Sequence, residues 1–241
     1  MKLMAEKSIT LTSSEYPPYY GKELYNRGPV TEIIIKAFEQ VGYRVKIDFF
    51  PWARSEDFAK KGNVYQGMLA PWKTEKREQL FYFSDPLLMN VVGFYKRKKD
   101  PISFNSYSDL SPFIVGTVIG YANPPGFDEA VFTKSFTLSD KQNMNMLCNH
   151  RVDLIIIDKF LAKYILKTQF PECATTVEWM EASLLHLPQY LVISKHAEHA
   201  EEILDAFNLG LQRLKDTAAI KDILIKHDIY ETLLESGAIV E

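Results

Sequence analysis

The stretch TEKREQLFYFSDPLL, Thr74 to Leu88, runs from charged residues into an aromatic segment closed by Ser84, Asp85 and Pro86, with Arg77 near its start. A guanidinium presents a rigid fork of donors that matches a carboxylate through two parallel hydrogen bonds, and it keeps its charge at physiological pH. Arg77 is therefore a candidate anion clamp, although an isolated Arg in such a run is more often solvated and paired with a neighbour, here Glu75 or Glu78. The opposite charge stands in VDLIIIDKFLAKYIL. Leu154 to Ile157 form a short apolar run suited to a buried parallel strand, and Asp158 follows at its carboxyl end, before a helical pattern. Ligands of open α/β sheets collect outside such strand ends, and an Asp there also serves as N-cap of the following helix, here through Tyr164. A cationic fork and an anion on opposite sides of a cleft would suit a zwitterion, since either charge buried alone is costly. A direct Arg77–Asp158 salt bridge, or no contact between the two at all, is the alternative.

Aromatic residues accompany both charges. ITLTSSEYPPYYG reads as a strand ending in a stiff loop of Tyr16, Pro17, Pro18, Tyr19 and Tyr20, with Gly21 after it. In FFPWAR, Trp52 follows a strand in which Val45, Ile47 and Phe49 alternate with polar residues, which places its indole near a strand end. Trp72 precedes Arg77, and Tyr121 follows the strand Ile114 to Ile119 and Gly120. Core packing is the usual fate of a Trp, yet the loop positions of these rings make one or two of them candidates for lining a ligand site. Arg54 reads as a solvated surface residue.

Taken in order, the Tyr-Pro loop, TEKR followed by FSDPL, the strand ending in VG ahead of a glycine loop, and RVDLIIID with its closing Asp resemble the family 3 extracellular solute-binding proteins of polar amino acid uptake systems. The resemblance covers nearly the whole chain. It implies that Arg77 grips a ligand α-carboxylate and Asp158 accepts from its α-ammonium; Tyr16, Tyr19, Trp52, Trp72 and Tyr121 are further candidate ligand contacts because of their loop positions, not because of the resemblance. It also implies a small-molecule, amino acid-like ligand, an ABC transporter permease as partner, a monomer, and neither cofactor nor metal. Two segments depart from the family pattern. Small hydroxyl residues are expected before the Arg, whereas Ala70, Pro71, Trp72 and Lys73 stand here, and Pro71 lacks a backbone N–H. The Gly-Thr-Thr expected at a helix N-terminus is replaced by Gly120, Tyr121, Ala122, Asn123, Pro124, Pro125 and Gly126. Hydroxyls give way to an aromatic face, which favours a ligand with a larger apolar or aromatic part, or one with a cation to stack on a ring.

These residues need a scaffold of alternating strands and helices. Thr31 to Gln40 carries Ile34, Phe38 and Val41 at helical spacing and stops at Gly42; VKIDFF follows as a strand. Ala200, Ile203, Leu204, Phe207, Leu211 and Leu214 mark a long amphipathic helix, with a short one over Ala218 to Lys226. Such alternation predicts α/β layers with mainly parallel sheets. The resemblance implies the two-lobed periplasmic-binding-protein-like fold of type II, each lobe a mainly parallel sheet flanked by helices, joined by two hinge strands. With crossings near Met89 to Val91 and Leu187 to Tyr190, lobe 1 comprises 1–89 and 191–241 and lobe 2 comprises 90–190.

Bulk properties narrow the function. A chain of 241 residues can bury a large core, and a net charge of −3 without a basic run beyond Lys96 to Lys99 gives no support for nucleic acid binding. That run reads as a solvated strand end. No stretch is long enough to cross a bilayer, and MKLMAEKSIT lacks the apolar segment of a signal peptide. Because the resembling family is exported, a periplasmic protein with its leader removed is expected. Cys148 and Cys173 fit either one disulfide or two thiols. GxSxG, P-loop, paired CxxC and HExxH motifs are absent. His196 and His199 read as surface positions and His186 as structural. The expected function is capture of a small carboxylate-bearing solute for an ABC-type permease. The alternatives are a cyclohexadienyl dehydratase-like enzyme, with Glu15 as its candidate general acid, and a ligand-sensing module that acts with a separate signalling partner.

Overall fold

The computed structural model describes residues 7–180 and 184–239. The first six positions of MKLMAEKSIT lie outside that range, as do 181–183 within the span expected for lobe 2. The chain divides into two compact units, one of Met1–Met89 with Pro188–Glu241 and one of Asn90–Leu187.

Unit 1 begins with β1 (Lys7–Ser13), whose Ile9 and Leu11 point into the core. After the tyrosine loop come α1 (Pro29–Glu39), β2 (Tyr43–Phe49), α2 (Trp52–Ala59), β3 (Gly67–Leu69), α3 (Glu75–Leu80) and β4 (Phe81–Phe83). Proline opens α1 at a position whose N–H needs no partner. Gly28 before it has φ 93°, and a Cβ there would lie 2.5 Å from the carbonyl oxygen of Tyr19, so only glycine lets the tyrosine loop lie against the helix entry. Tyr16 and Tyr20 form a backbone bridge, and the ring of Tyr16 stacks on those of Tyr19 and Tyr20 with centroids 5.9 and 5.5 Å apart.

Unit 2 contains β5 (Met89–Arg97), β6 (Ile114–Val118), β7 (Thr133–Thr137), α4 (Asp140–Cys148), β8 (Leu154–Asp158), α5 (Lys159–Gln169), β9 (Val177–Trp179) and β10 (Leu185–Pro188). The strand order is β10-β5-β8-β6-β7, with β9 also pairing β5. β6 runs parallel to both β7 and β8, while β5 runs antiparallel to β8. All five residues of β8 are buried, as an apolar run between two neighbouring strands requires. Cys148, at the end of α4, is disulfide-bonded to Cys173, and closing a loop of this length is worth about 3 kcal/mol in the chain-entropy account.

The chain then completes unit 1 with β11 (Leu191–Ser194), α6 (Ala200–Asp216), α7 (Ala219–Lys226) and α8 (Tyr230–Glu235). The sheet order is β2-β1-β3-β11-β4, and β11 is antiparallel to both of its neighbours. Helices α1 and α6 pack closely because Gly210 has no side chain: a Cβ there would fall within bonding distance of the Ala37 carbonyl oxygen. Phe38 and Phe207 meet at the same seam, 5.1 Å between ring centroids.

The run Lys96 to Lys99 requires a correction. Lys98 and Lys99 are exposed, but Arg97 is buried: its guanidinium donates to the carbonyls of Leu147 and Val152 and pairs with Asp153 at 3.1 Å and Asp100 at 2.7 Å. The carbonyl of Leu147 lies in the last turn of α4, where helix carbonyls lack intrahelical partners and favour a cation. A sequence run of like charges conceals such a non-local partner.

Candidate functional site

Each unit holds its own cluster of candidate residues. In unit 1 the spacing Thr74 to Arg77 has a local cause: the Thr74 hydroxyl caps α3 by accepting from the Arg77 N–H at 3.2 Å. The cap places Arg77 in the first turn of a short helix, with its side chain turned inward and only 4% of the residue exposed. Its Nε and Nη2 donate to the two carboxylate oxygens of Glu56 at 3.2 and 3.1 Å, and Nη1 donates to the Trp72 carbonyl at 3.0 Å. The guanidinium carbon also lies 5.3 Å from the centroid of the Trp52 ring. Glu56 comes from α2, one turn after Trp52 and on the same face, so a single helix supplies both the carboxylate and the indole that hold Arg77. The half-buried Trp52 packs in addition against a core cluster of Ala59, Met68, Phe81 and Val192.

Unit 1 thus gathers the Glu56 carboxylate, the Trp72 carbonyl and the Trp52 ring around Arg77, and Glu56 is a partner more distant in sequence than Glu75 or Glu78. Tyr16 and Tyr19 belong to the tyrosine stack and are buried, Tyr19 completely. Arg54 is exposed. FSDPL, the second half of the signature stretch, does structural work. Ser84 Oγ accepts from the Leu191 N–H at 3.0 Å and donates to the Asp85 carbonyl, and the Asp85 N–H donates to Asn208 Oδ1 at 3.0 Å, which fixes the exit of β4 to β11 and α6. Ala70, which replaces a hydroxyl residue of the family pattern, is buried with φ 56°, a left-handed conformation that disfavours a Cβ.

In unit 2 Asp158 ends β8 and caps α5. Phe160 and Leu161 N–H groups donate to Oδ1, each at 2.9 Å, while Asn90 Nδ2 and Val91 N–H donate to Oδ2, each at 3.0 Å. The N-cap role and the strand-end position thus coincide in one carboxylate. Burial pushes its pKa up to about 6 despite these four donors, each of which favours the anion. A second buried carboxylate, Asp140, opens α4 directly after its cap Ser139 and accepts from the phenol of Tyr121 at 2.7 Å. Burial raises its pKa to about 7, against the phenol hydrogen bond and with a further upward push from the negative charge of Asp158. Burial, together with the same Asp158 charge, lifts the Tyr95 phenol to about 12. Two carboxylates and a phenol therefore gather around strand ends and helix N-termini of one sheet, with Asn90 at the entry of β5.

Glu56, Asn90 and Asp140 are not singled out in the sequence. The one signal for Asp140 is the Ser139-Asp140 pair at a helix start, which also describes an ordinary capped terminus. Glu15, the candidate general acid, is exposed and accepts from the Lys22 N–H; His186, His196 and His199 are exposed as well. Among the described residues, no cluster of three or more His, Cys, Asp or Glu could hold a metal ion, and no helix is long and apolar enough to cross a membrane.

No family model matches the chain, and a comparison of its sequence with curated proteins finds no match. Solved structures do match. The substrate-binding protein of an amino acid ABC transporter superposes with a TM-score of 0.76 at 17% identity, over 91% of this chain and 98% of that one. An ancestral arginine-binding protein bound to arginine gives 0.78 at 18% identity, over 91% and 97%. A histidine kinase sensor domain with similarity to periplasmic binding proteins gives 0.78 at 19% identity, over 92% and 96%. The chain therefore has the periplasmic-binding-protein-like fold, built from two α/β units, and shares it with the substrate-binding proteins of amino acid ABC transporters.

Proposed function

We propose that this chain is a family 3 extracellular solute-binding protein that captures a small carboxylate-bearing solute, an amino acid or a derivative, and delivers it to an ABC-type permease. The observation that carries this reading is Asp158: a buried carboxylate at the carboxyl end of a strand, raised in pKa, in a fold that amino acid substrate-binding proteins share. In this reading Asp158 accepts from the ligand's ammonium, and Arg77 takes its carboxylate while sharing its guanidinium with Glu56. Trp52, Trp72, Tyr16, Tyr19 and Tyr121 are the proposed aromatic contacts. Lobe 1 comprises 1–89 and 191–241 and lobe 2 comprises 90–190; the ligand favours closure by binding the closed form better than the open one. The protein acts as a periplasmic monomer without a catalytic step.

A thermal-shift screen over amino acids, small peptides, amines and carboxylates tests the proposal, because a tight ligand stabilises the folded form by mass action. A hit confirmed by calorimetry and lost in Arg77→Ala supports it; unchanged affinity in that variant overturns the clamp. A second reading, a ligand-sensing module, draws support from the likeness to a histidine kinase sensor domain. It is distinguished by the partner that the liganded protein captures, a permease or a kinase. Aromatic product formed from prephenate or arogenate would favour the dehydratase alternative over both.

A further inference from the structure

Asp140 and Asn143 lie three residues apart in the first turns of α4, hence on one face, and both are more than nine-tenths buried. Asp140 Oδ2 holds the Tyr121 phenol, but Asp140 Oδ1 and both polar atoms of the Asn143 amide have no hydrogen-bond partner among the described residues. Buried polar atoms are nearly always partnered, so three such atoms within one turn mark a place where another group bonds. Asn143 Oδ1 occupies the space that Gly116 leaves on β6, since a Cβ there would meet it at 2.7 Å. Two of the three atoms are acceptors, and one of these belongs to a carboxylate whose ionisation the charge of Asp158 opposes. A group with several N–H donors and a positive charge satisfies the two acceptors. The Tyr121 ring, its hydroxyl anchored to Asp140, adds an aromatic face on which a cation can stack.

We propose that Asp140, with Asn143 and Tyr121, forms a second cation subsite in unit 2 beside Asp158, so that the solute carries two basic nitrogens: an amino group for Asp158 and a guanidinium or alkylammonium for Asp140. The inference rests on the solute-binding reading and assigns its specificity. A single ammonium held at Asp158 brings no cation to Asp140; a dibasic solute brings one to each.

The test is calorimetry at pH 8 on the full chain with L-lysine, L-arginine, L-norleucine and L-glutamine. Norleucine is lysine without its terminal ammonium, so their affinity ratio reads the subsite directly. Lysine or arginine is expected to bind about 10- to 100-fold more tightly than norleucine, the range for a hydrogen bond to a charged group. Asp140→Asn, nearly the same in shape, is expected to bring that ratio close to one, and Asn143→Ala to reduce it. A ratio near one in the unmodified protein overturns the subsite whatever the variants do, while binding of norleucine or glutamine leaves the solute-binding reading standing. Binding of none of the four overturns the subsite and leaves the solute-binding reading to the thermal-shift screen. A ratio that survives Asp140→Asn undiminished assigns the selectivity elsewhere and also overturns the subsite.

Discussion

The Tyr121 phenol donates to Asp140 at 2.7 Å, which ties the loop after β6 to the first residue of α4. That loop carries an aromatic ring where the resemblance leads one to expect hydroxyls, and the hydrogen bond holds the ring beside a buried carboxylate.

Glu56→Gln removes one charge of the Arg77 pair. Arg77 is almost wholly buried while the Glu56 side chain is 21% exposed, so part of the loss is screened. A destabilisation of about 1–3 kcal/mol in urea unfolding is expected, below the value for a fully buried pair. A change below a few tenths of a kcal/mol would show that Arg77 does not depend on Glu56.

Asp158→Asn separates the cap from the charge. Asparagine caps a helix about as well as aspartate, so the fold of α5 is expected to persist by circular dichroism. Affinity is expected to fall for ligands with a free amino group and to hold for their deaminated analogues. Equal weakening of both classes would remove Asp158 from ammonium recognition.

The ligand-free protein is expected to lose stability as pH rises. Asp140 and Asp158 have folded-state pKa values of about 7 and about 6, above the 3.8 of an unfolded aspartate. The folded state therefore binds more protons than the unfolded state across that interval, and stability falls with pH between about 4 and 7. The phenol of Tyr121 donates to Asp140, and the phenol of Tyr95, lifted to about 12 by burial and the Asp158 charge, stays protonated throughout this window. Asp140→Asn is expected to flatten the dependence of Tm on pH in this window. An unchanged slope would refute the assignment.

Ala70→Gly is expected to stabilise the protein by about 1 kcal/mol, because alanine at φ 56° bears a steric cost that glycine avoids. The greater freedom of unfolded glycine offsets part of this gain. Denaturant midpoints of the two proteins decide the sign.

Much of the scaffold is legible in the sequence because its signals are local. Leu154 to Ile157 reads as a buried strand and forms β8; the helix expected over Thr31 to Gln40 is α1, Pro29–Glu39; the long amphipathic run is α6, Ala200–Asp216. Asp158 stands out because a strand end and a helix start meet at one residue. The partners of the charged residues are not legible, since pairing depends on elements brought together by the fold. Glu56 lies 21 residues before Arg77, and nothing in α2 marks it as different from its neighbour Asp57, which pairs with the exposed Lys60 and Lys61. Arg97 sits in a run that reads as solvated, and what holds it in the interior is a pair of carbonyls 50 and 55 residues on. Asp140 has the spacing of an ordinary helix-start acid; only the fold reveals an oxygen that has no partner among the described residues.

The Cys148–Cys173 bond encloses β8 and α5, and therefore Asp158 with the helix it caps. The segment that carries the anion is stapled at both ends, so in a reducing compartment the same sequence would hold that residue in a looser frame. An oxidising compartment is then a condition of that segment's rigidity.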